Sequence, residues 1–449
     1  MLSKSVLRPL ILVVFALGIT LVPPALAQDN STSISILQWS HFVPRYDEWF
    51  DSYAQQWGQD NNIGVTVDHI NLADLGTTLS AEIDAGEGHS IVEMVLSPAA
   101  YYEGLHDLTD VNMAAQEKYG EPMPTCKAVS YLPATDTWYG FAHTYVPDPG
   151  DYIVSLWSQV GYPNGPTTYE ELMDGGAKIK DQLGVPLGLG LSPEIDSEME
   201  TRAIMWSYGA SVQDENENVV LNSPQTIDAV NYMANLYSNA MTDEVFSWNA
   251  ASNNQGLIAG DLSYILNSIS AYRSQQKIDP EAANDIGFSP ALEGPAGAYA
   301  SSHVWSIYVI PKHVEGAELA AAKQFILDHL DNFNDAVYNS ELYNFPCYPD
   351  SAPDLAKWLQ DDPFGSVPAD KLTVLSGAAK WGVQIGYPGV SNPAVGQVYN
   401  EFLISSMFAQ VALGQKTAEE AVADAAARVE EIFTDWRAKG LVGGGDSSQ

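Results

Sequence analysis

The chain has 449 residues, with 19 Lys+Arg against 57 Asp+Glu and a formal net charge of −38. A molecule so acidic repels nucleic acid and anionic lipid surfaces, which excludes both as partners. Its length exceeds what one hydrophobic core supports, and with 46% apolar residues it should divide into two or three domains.

At the start, Lys4 and Arg8 flank an apolar stretch over 10–22, and Ala25-Leu26-Ala27 fits a small-residue cleavage pattern. Residues 1–27 therefore read as a signal peptide, leaving a soluble mature chain from Gln28 that is exported to the periplasm or beyond. An uncleaved anchor is the alternative. The stretch is shorter than the roughly 20 residues a spanning helix needs, and Pro23-Pro24 interrupts it. No cysteine follows it to carry a lipid. Without Lys4 and Arg8 the balance is 17 against 57, a net charge of −40. That acidity fits a solvated surface on an exported or salt-tolerant protein, or a field that draws in a cation such as a polyamine. The carboxylates are dispersed along the chain, which favours the first.

The next segment predicts β-α-β-α-β. A β-branched strand over 33–38 precedes a helix over 44–60 with Tyr46, Trp49, Phe50, Tyr53 and Trp57 on one stripe, read as core. A strand over 64–70, a helix over 75–85 stopped by Gly86-Glu87-Gly88, and a strand over 91–96 follow. Strands alternating with helices imply a parallel sheet, whose ligands sit beyond the carboxyl ends of the strands. The loops Trp39-Ser40-His41-Phe42 and Ser97-Pro98-Ala99-Ala100-Tyr101-Tyr102 occupy those positions.

Cys126 and Cys347 are the two cysteines; an exported chain permits a disulfide between them, and two independent thiols are the alternative. Neither lies in a C-x-x-C pair and there is no His-Glu-x-x-His run, so no zinc or redox site and no cofactor is expected. An extended segment over 138–143 leads into a new region. Thr167 and Glu170 have capping-box spacing, and a Gly-interrupted strand covers 185–191. Asp214-Glu215-Asn216-Glu217-Asn218 lacks the glycine and glutamate of a calcium loop and reads as a hairpin turn. Ser223-Pro224 opens a helix with Ile227, Val230, Ala234 and Tyr237 on one side.

The run Ser247-Trp248-Asn249-Ala250-Ala251-Ser252-Asn253-Asn254-Gln255-Gly256-Leu257-Ile258-Ala259-Gly260-Asp261 predicts a helix and a glycine stop. A buried strand over 262–267 follows, then a polar loop with Ser268, Ser270 and Tyr272, suited to hydroxyl-rich ligands. Segments 286–295 and 305–311 return to sheet, and 318–330 is helical. A second capping box, Thr417 with Glu420, opens a helix carrying Val422, Ala425, Val429, Phe433 and Trp436. The tail over 441–449 is expected to be disordered.

In wording and order the Asn-rich run resembles the family 1 extracellular solute-binding proteins, the maltose-binding-protein-like sugar-capturing subunits of bacterial ABC importers. The resemblance extends through Tyr139-Gly140-Phe141, Trp206-Ser207-Tyr208-Gly209-Ala210, Leu221-Asn222-Ser223-Pro224 and Leu292-Glu293-Gly294-Pro295 to Ala412-Leu413-Gly414-Gln415-Lys416-Thr417. It implies an α/β, type II-like periplasmic-binding-protein fold: two discontinuous lobes, joined by a hinge of two or three strands, with ligand in the cleft. The lobes are assigned as 28–141 with 290–340, and 142–289 with 341–440.

The same resemblance implies a non-catalytic, monomeric binder that hands a carbohydrate to a membrane permease. A sugar has apolar faces and a hydroxyl rim, so aromatic faces edged by amides and carboxylates suit it. The candidates are Trp39, His41, Ser97, Glu194, Trp206, Asn267, Ser270, Tyr272, Trp305 and Tyr387, with Trp206, Tyr272, Trp305 or Tyr387 for stacking. Trp248 and Asn253 belong to the helix and its cap. Two departures stand out: Ser97-Pro98 replaces an acidic residue common in the family, and His303 and Trp305 fall in a stretch usually rich in Gly and Ser. A polyamine or peptide binder, using Glu93, Glu194 and Asp196 for a cation, is the second reading. An exported glycoside hydrolase, needing two carboxylates across a bond, is the third.

Overall fold

The computed structural model describes residues 32–95 and 97–444. The expected signal peptide and residues 445–449 of the expected tail lie outside the described residues.

The first body is built on a six-stranded sheet. Strand Ser33–Trp39 pairs in parallel with Gly64–Ile70 and with Ile91–Met94, connected by helices Pro44–Asn61 and Leu75–Ala85. The alternating pattern thus produces the parallel unit expected of it. Beyond Ile91–Met94 the sheet turns antiparallel, adding Trp305–Val309, then Phe141–Tyr145, then Phe345–Pro346. On helix 44–61, Tyr46, Phe50, Ala54 and Trp57 are buried at helical spacing, while Trp49 and Tyr53 pack half-buried beside them. The rings of Phe50 and Trp57 meet Phe325 of helix Gly316–Asp331 at 5.9 and 5.1 Å. That stripe is core, as read.

The second body has an antiparallel sheet in which Gly150–Ile153 lies between Tyr264–Leu266 and Ile286–Ser289. The strand expected over 185–191 amounts to single bridges, Leu187↔Met241 and Gly188↔Ile265. Helix Ser252–Ala259 occupies the Asn-rich run and ends on Gly260, whose φ of 80° is the left-handed conformation that glycine adopts without strain. Residues 214–218 form a turn in which the Asp214 carboxylate accepts from the backbone of Asn216 and Asn218, closed by the bridge Gln213↔Val219.

Several expectations shift. The first capping box moves one residue: Thr168, not Thr167, caps its helix by accepting from the Glu171 amide at 3.1 Å. Burial of Tyr169 and Leu172 sets that frame. The Thr417–Glu420 box forms as expected. On helix Pro224–Ala240 the buried face runs through Ala229, Val230, Met233 and Leu236, leaving Ile227 and Tyr237 at its margin. Leu441 and Val442, assigned to the disordered tail, are buried against the second body.

The segment 341–381, assigned to the second lobe, packs with the first. Phe345–Pro346 is an edge strand of the first sheet, and Leu342, Leu355, Leu372 and Trp381 join its core. Cys347 is disulfide-bonded to Cys126, 221 residues away, at a Cα–Cα distance of 5.7 Å. The chain re-enters the second body only after Gly382–Val383, which pairs in parallel with Ala300–Ser301 where the chain crosses between the bodies. The remaining crossing is Pro147-Asp148-Pro149, between strands 141–145 and 150–153.

Candidate functional site

Between the bodies lies a cleft of about 940 Å³. The first body lines it with Phe42, Tyr101, Ser97 and the loop 71–77; the second lines it with Glu194, Asn249 and Tyr399. Two of these, Ser97 and Glu194, are among the expected site residues. Ser97 Oγ lies 3.1 Å from the Tyr139 hydroxyl and also reaches the Ser391 carbonyl.

Glu194 is the N-cap of helix Ile195–Ser207. Its carboxylate accepts from the backbone N–H groups of Asp196 and Ser197 at 2.8 and 2.5 Å, satisfying amides that the helix start leaves free. The next residue inward is the buried Asp196. Its Oδ2 accepts from Asn253 at 2.9 Å and Asn267 at 3.2 Å, and Asn267 also donates to Asn253 Oδ1 at 3.0 Å. Asn267 and Asn253 therefore act by fixing the Asp196 carboxylate. Ser270 lies behind them, bonded to Asn254 and beside Ser268.

Asp196 belongs to a buried acidic group that sequence reading missed in the main. Asp148, Asp151, Asp196 and Glu200 are each at most 2% exposed. Asp148 Oδ1 is 3.3 Å from His303 Nδ1. Glu200 accepts from the Gly190 amide through one oxygen. Among the described residues, Asp148 Oδ2, both Asp151 oxygens, Asp196 Oδ1 and Glu200 Oε1 have no hydrogen-bond partner, and neither do His303 Nε2 and Trp305 Nε1. Burial pushes all four carboxyl groups up, reinforced by Asp148 at Asp151, by Glu194 at Asp196 and by Asp196 at Glu200. Burial alone would depress His303; hydrogen bonding to Asp148 and the charges of Asp196, Asp148 and Glu194 outweigh it and raise the imidazole. The neighbouring Arg202 meets Glu198 at 3.1 Å and the Ile385 carbonyl, and its Nη2 has no partner among the described residues.

The remaining candidates divide. Trp39 and His41 are buried behind Phe42, their rings 4.6 Å apart. The Val43 amide donates to His41 Nδ1, so Nε2 carries the proton toward Asn344 Oδ1 at 3.1 Å. Burial lowers this imidazole to about 4, so it braces the loop as a neutral group. Trp305 is buried two residues beyond His303, its ring 6.1 Å from Tyr145. Trp206 and Tyr387 meet edge to face at 6.3 Å, with Tyr299 against Tyr387 at 5.3 Å, in a separate group. Tyr272 faces away from the acidic group: its hydroxyl donates to Ser366 at 2.9 Å beside the Arg273–Asp362 ion pair.

Among the described residues no helix is long and apolar enough to cross a membrane, and no group of three or more His, Cys, Asp or Glu could hold a metal ion.

Comparison with known proteins places this geometry. The family model for bacterial extracellular solute-binding proteins matches residues 52–364. A Brucella abortus binding protein is 27% identical over 149 residues, 33% of this chain, and the chain spans only 36% of that relative's length. Maltose-bound MalE3 of T. maritima superposes with a TM-score of 0.72 at 20% identity, covering 89% of this chain and 100% of that one. A sugar transporter of Arthrobacter chlorophenolicus with bound laminaribiose gives 0.73 at 14% identity, covering 89% and 99%. The GacH receptor of Streptomyces glaucescens, solved unliganded and with acarbose, gives 0.72 at 14%, covering 90% and 99%. These likenesses establish the two-lobe fold. The matched stretch exceeds two thirds of the sequence, and the chain belongs to the bacterial extracellular solute-binding protein family.

Proposed function

We propose that this chain is the extracytoplasmic capture subunit of an ABC importer, exported by its leader and working as a monomer. It closes its two lobes on a mono- or oligosaccharide and delivers it chemically unchanged to a permease. The supporting observation is the composition of the cleft: aromatic rings of Phe42, Tyr101 and Tyr399 at its walls, with the carboxylates of Asp74 and Glu194 and the amides of Asn71, Asn249 and Asn400 beside them. Rings cover the apolar C–H faces of a pyranose, and carboxylates accept from its hydroxyls. The solved relatives that carry maltose, laminaribiose and acarbose support the same ligand class.

Domain closure provides the conformational step. Three crossings connect the lobes, and the groups facing the cleft come from both, so a bound sugar favours the closed arrangement by bridging them. The test is thermal unfolding against a panel of mono- and oligosaccharides. A ligand at 100 times its dissociation constant should stabilise by about 2.7 kcal/mol. A panel in which no saccharide shifts the transition, or in which a chromogenic glycoside is turned over, would defeat the proposal.

A further inference from the structure

Among the described residues, six other than glycine take a positive φ: Asn62, Asp136, Glu217, Glu341, Leu342 and Phe402. A side chain in that region crowds the following carbonyl, so Asn and Asp are tolerated there while a bulky residue is an outlier. Asn62 and Asp136 are of the tolerated kind, and Glu217 belongs to the turn its amide closes on the Asp214 carbonyl at 3.1 Å. Glu341 gives its carbonyl to Arg273, and Leu342 is fully buried in the first core. Phe402 has no such account. It takes φ 51° and ψ 39° ahead of helix Leu403–Ala412, is half-buried, and belongs to none of the hydrophobic clusters among the described residues. The next residue, Leu403, does pack on the second core.

The elbow is pinned on both sides. Glu401 accepts a fork from Arg428 of helix Ala418–Ala438 at 2.8 and 3.0 Å. Ser405 is held through its amide and hydroxyl by the buried Glu198 at 2.8 and 3.0 Å. Between them the Phe402 amide donates to the Tyr399 carbonyl at 2.9 Å, and the Phe402 carbonyl accepts from the Ser406 amide at 3.1 Å. A crowded backbone persists where its surroundings over-determine it, and such residues gather at ligand clamps. Phe402 lines the interlobe cleft, as do Tyr399 and Asn400 of the same turn. Glycine would take this conformation without crowding. A phenyl ring kept here, outside both cores and on the cleft wall, points to a use in the cleft.

We propose that Phe402 is a ligand-contacting, specificity-determining residue, and that the turn 400–402 holds its ring at the cleft wall as the second lobe's apolar platform for a sugar face. A phenyl ring covers the C–H face of a pyranose and offers nothing to its hydroxyls, which are left to the amides and carboxylates around it. Because the elbow is fixed before the ligand arrives, little ordering is charged against that contact. Phe42 lines the cleft from the first body, so each lobe offers a phenyl face and closure brings both toward the guest. This inference rests on the cleft being a saccharide site.

The experiment titrates glucose, maltose, maltotriose, cellobiose and laminaribiose calorimetrically into the full chain and three variants at pH 7, and melts each protein without ligand. For the saccharide that the parent binds most tightly, Phe402→Leu keeps an apolar side chain, loses the ring, and should weaken binding about 10-fold. Phe402→Gly should weaken it about 10- to 100-fold, while Phe402→Tyr, which keeps the ring, should stay within about threefold. Without ligand, Phe402→Gly relieves the crowded backbone and removes no core contact, so it should melt at or above the parent. Unchanged affinity in Phe402→Leu and Phe402→Gly overturns the inference, as does a loss in Phe402→Tyr equal to that in Phe402→Leu. A Phe402→Gly chain that melts well below the parent shows the ring to be structural and overturns it too. In each of those cases the proposed function stands, because the parent binds a saccharide. A parent that binds none of the five overturns both.

Discussion

Asp148 is buried with an unpaired oxygen, so its charge burdens the fold, and Asp148→Asn should stabilise the protein. The side chain is fully buried, its Oδ2 lacks a partner among the described residues, and His303 Nδ1 lies 3.3 Å from its Oδ1. Leaving a buried polar group unsatisfied costs about 1–3 kcal/mol, and more when it is charged. The pH dependence gives a sharper signature. Burial raises this carboxyl above its unfolded value, so the folded state holds the proton more tightly. Such a group contributes stability that is fully present below the unfolded pKa and is lost as pH rises through the folded one. Asn does not titrate, so the variant escapes that loss.

The gain from Asp148→Asn should therefore be near zero at pH 4 and reach about 1–3 kcal/mol by pH 8. For a lobe of roughly 200 residues that is a rise of about 2–12 °C in melting temperature. Ligand-free melts at pH 4, 6 and 8 in constant salt measure it. A variant less stable than the parent at pH 8, or a difference that does not change with pH, would refute the idea that Asp148 is buried at a cost.

Three other outcomes follow from the rest of the molecule. Opening the Cys126–Cys347 link, by reductant or by Ser at both positions, frees a loop of 221 residues and should cost about 5 kcal/mol on the chain-entropy account; urea midpoints with and without dithiothreitol read it, and coincident midpoints would show the link to be energetically idle. His41 and His143 are buried neutral, lowered by burial to about 4 and about 3. Their stability is lost as pH falls below the unfolded value near 6.5, so His41→Gln should flatten acid unfolding by roughly 3 kcal/mol between pH 6.5 and 4, and an unchanged acid limb would contradict the neutral assignment. Arg273 pairs with Asp362 at 2.7 and 3.1 Å and donates to the Glu341 carbonyl at 2.8 Å, tying helix Ser270–Ile278 to the 341–381 segment. Arg273→Ala should cost about 3–5 kcal/mol in urea unfolding, and Arg273→Lys, unable to form the fork, should restore little; full rescue by Lys would show that charge alone suffices.

The parallel half of the first sheet was legible because its signals are local. Alternating strands, an aromatic stripe at helical spacing and glycine stops each act within about twenty residues, and the tertiary structure agrees with all of them. What escaped depends on distant partners. Residues 341–381 contain short helices and a two-residue strand, and nothing in them says which body they join. That is settled by pairing with 141–145 and by the disulfide, both made across some two hundred residues. The displaced capping box teaches the same lesson at short range. Thr167 and Thr168 both offer a hydroxyl, and the need to bury Tyr169 and Leu172 chooses between them.

The site was less legible, because aromatic residues are abundant and most of them fill cores. Trp206, Tyr272 and Tyr387 pack against other residues away from the acidic group, while the charged members came from segments that read as connectors. Asp148 lies between two prolines and His303 in a Ser-rich stretch that had drawn notice only as a departure. A structural logic joins them nonetheless. Strands 141–145 and 305–309 are antiparallel neighbours, and their pairing continues past the strand ends: Val146 donates to the Val304 carbonyl at 3.0 Å, and His303 donates to the Val146 carbonyl at 2.8 Å. That extension runs to the crossing between the bodies, so it sets His303 against Asp148 at the hinge itself. Asp196 approaches from the second body on its own helix. The polar group is thus assembled from the crossing itself and from a helix of the second body, and no local signal in either stretch announces it.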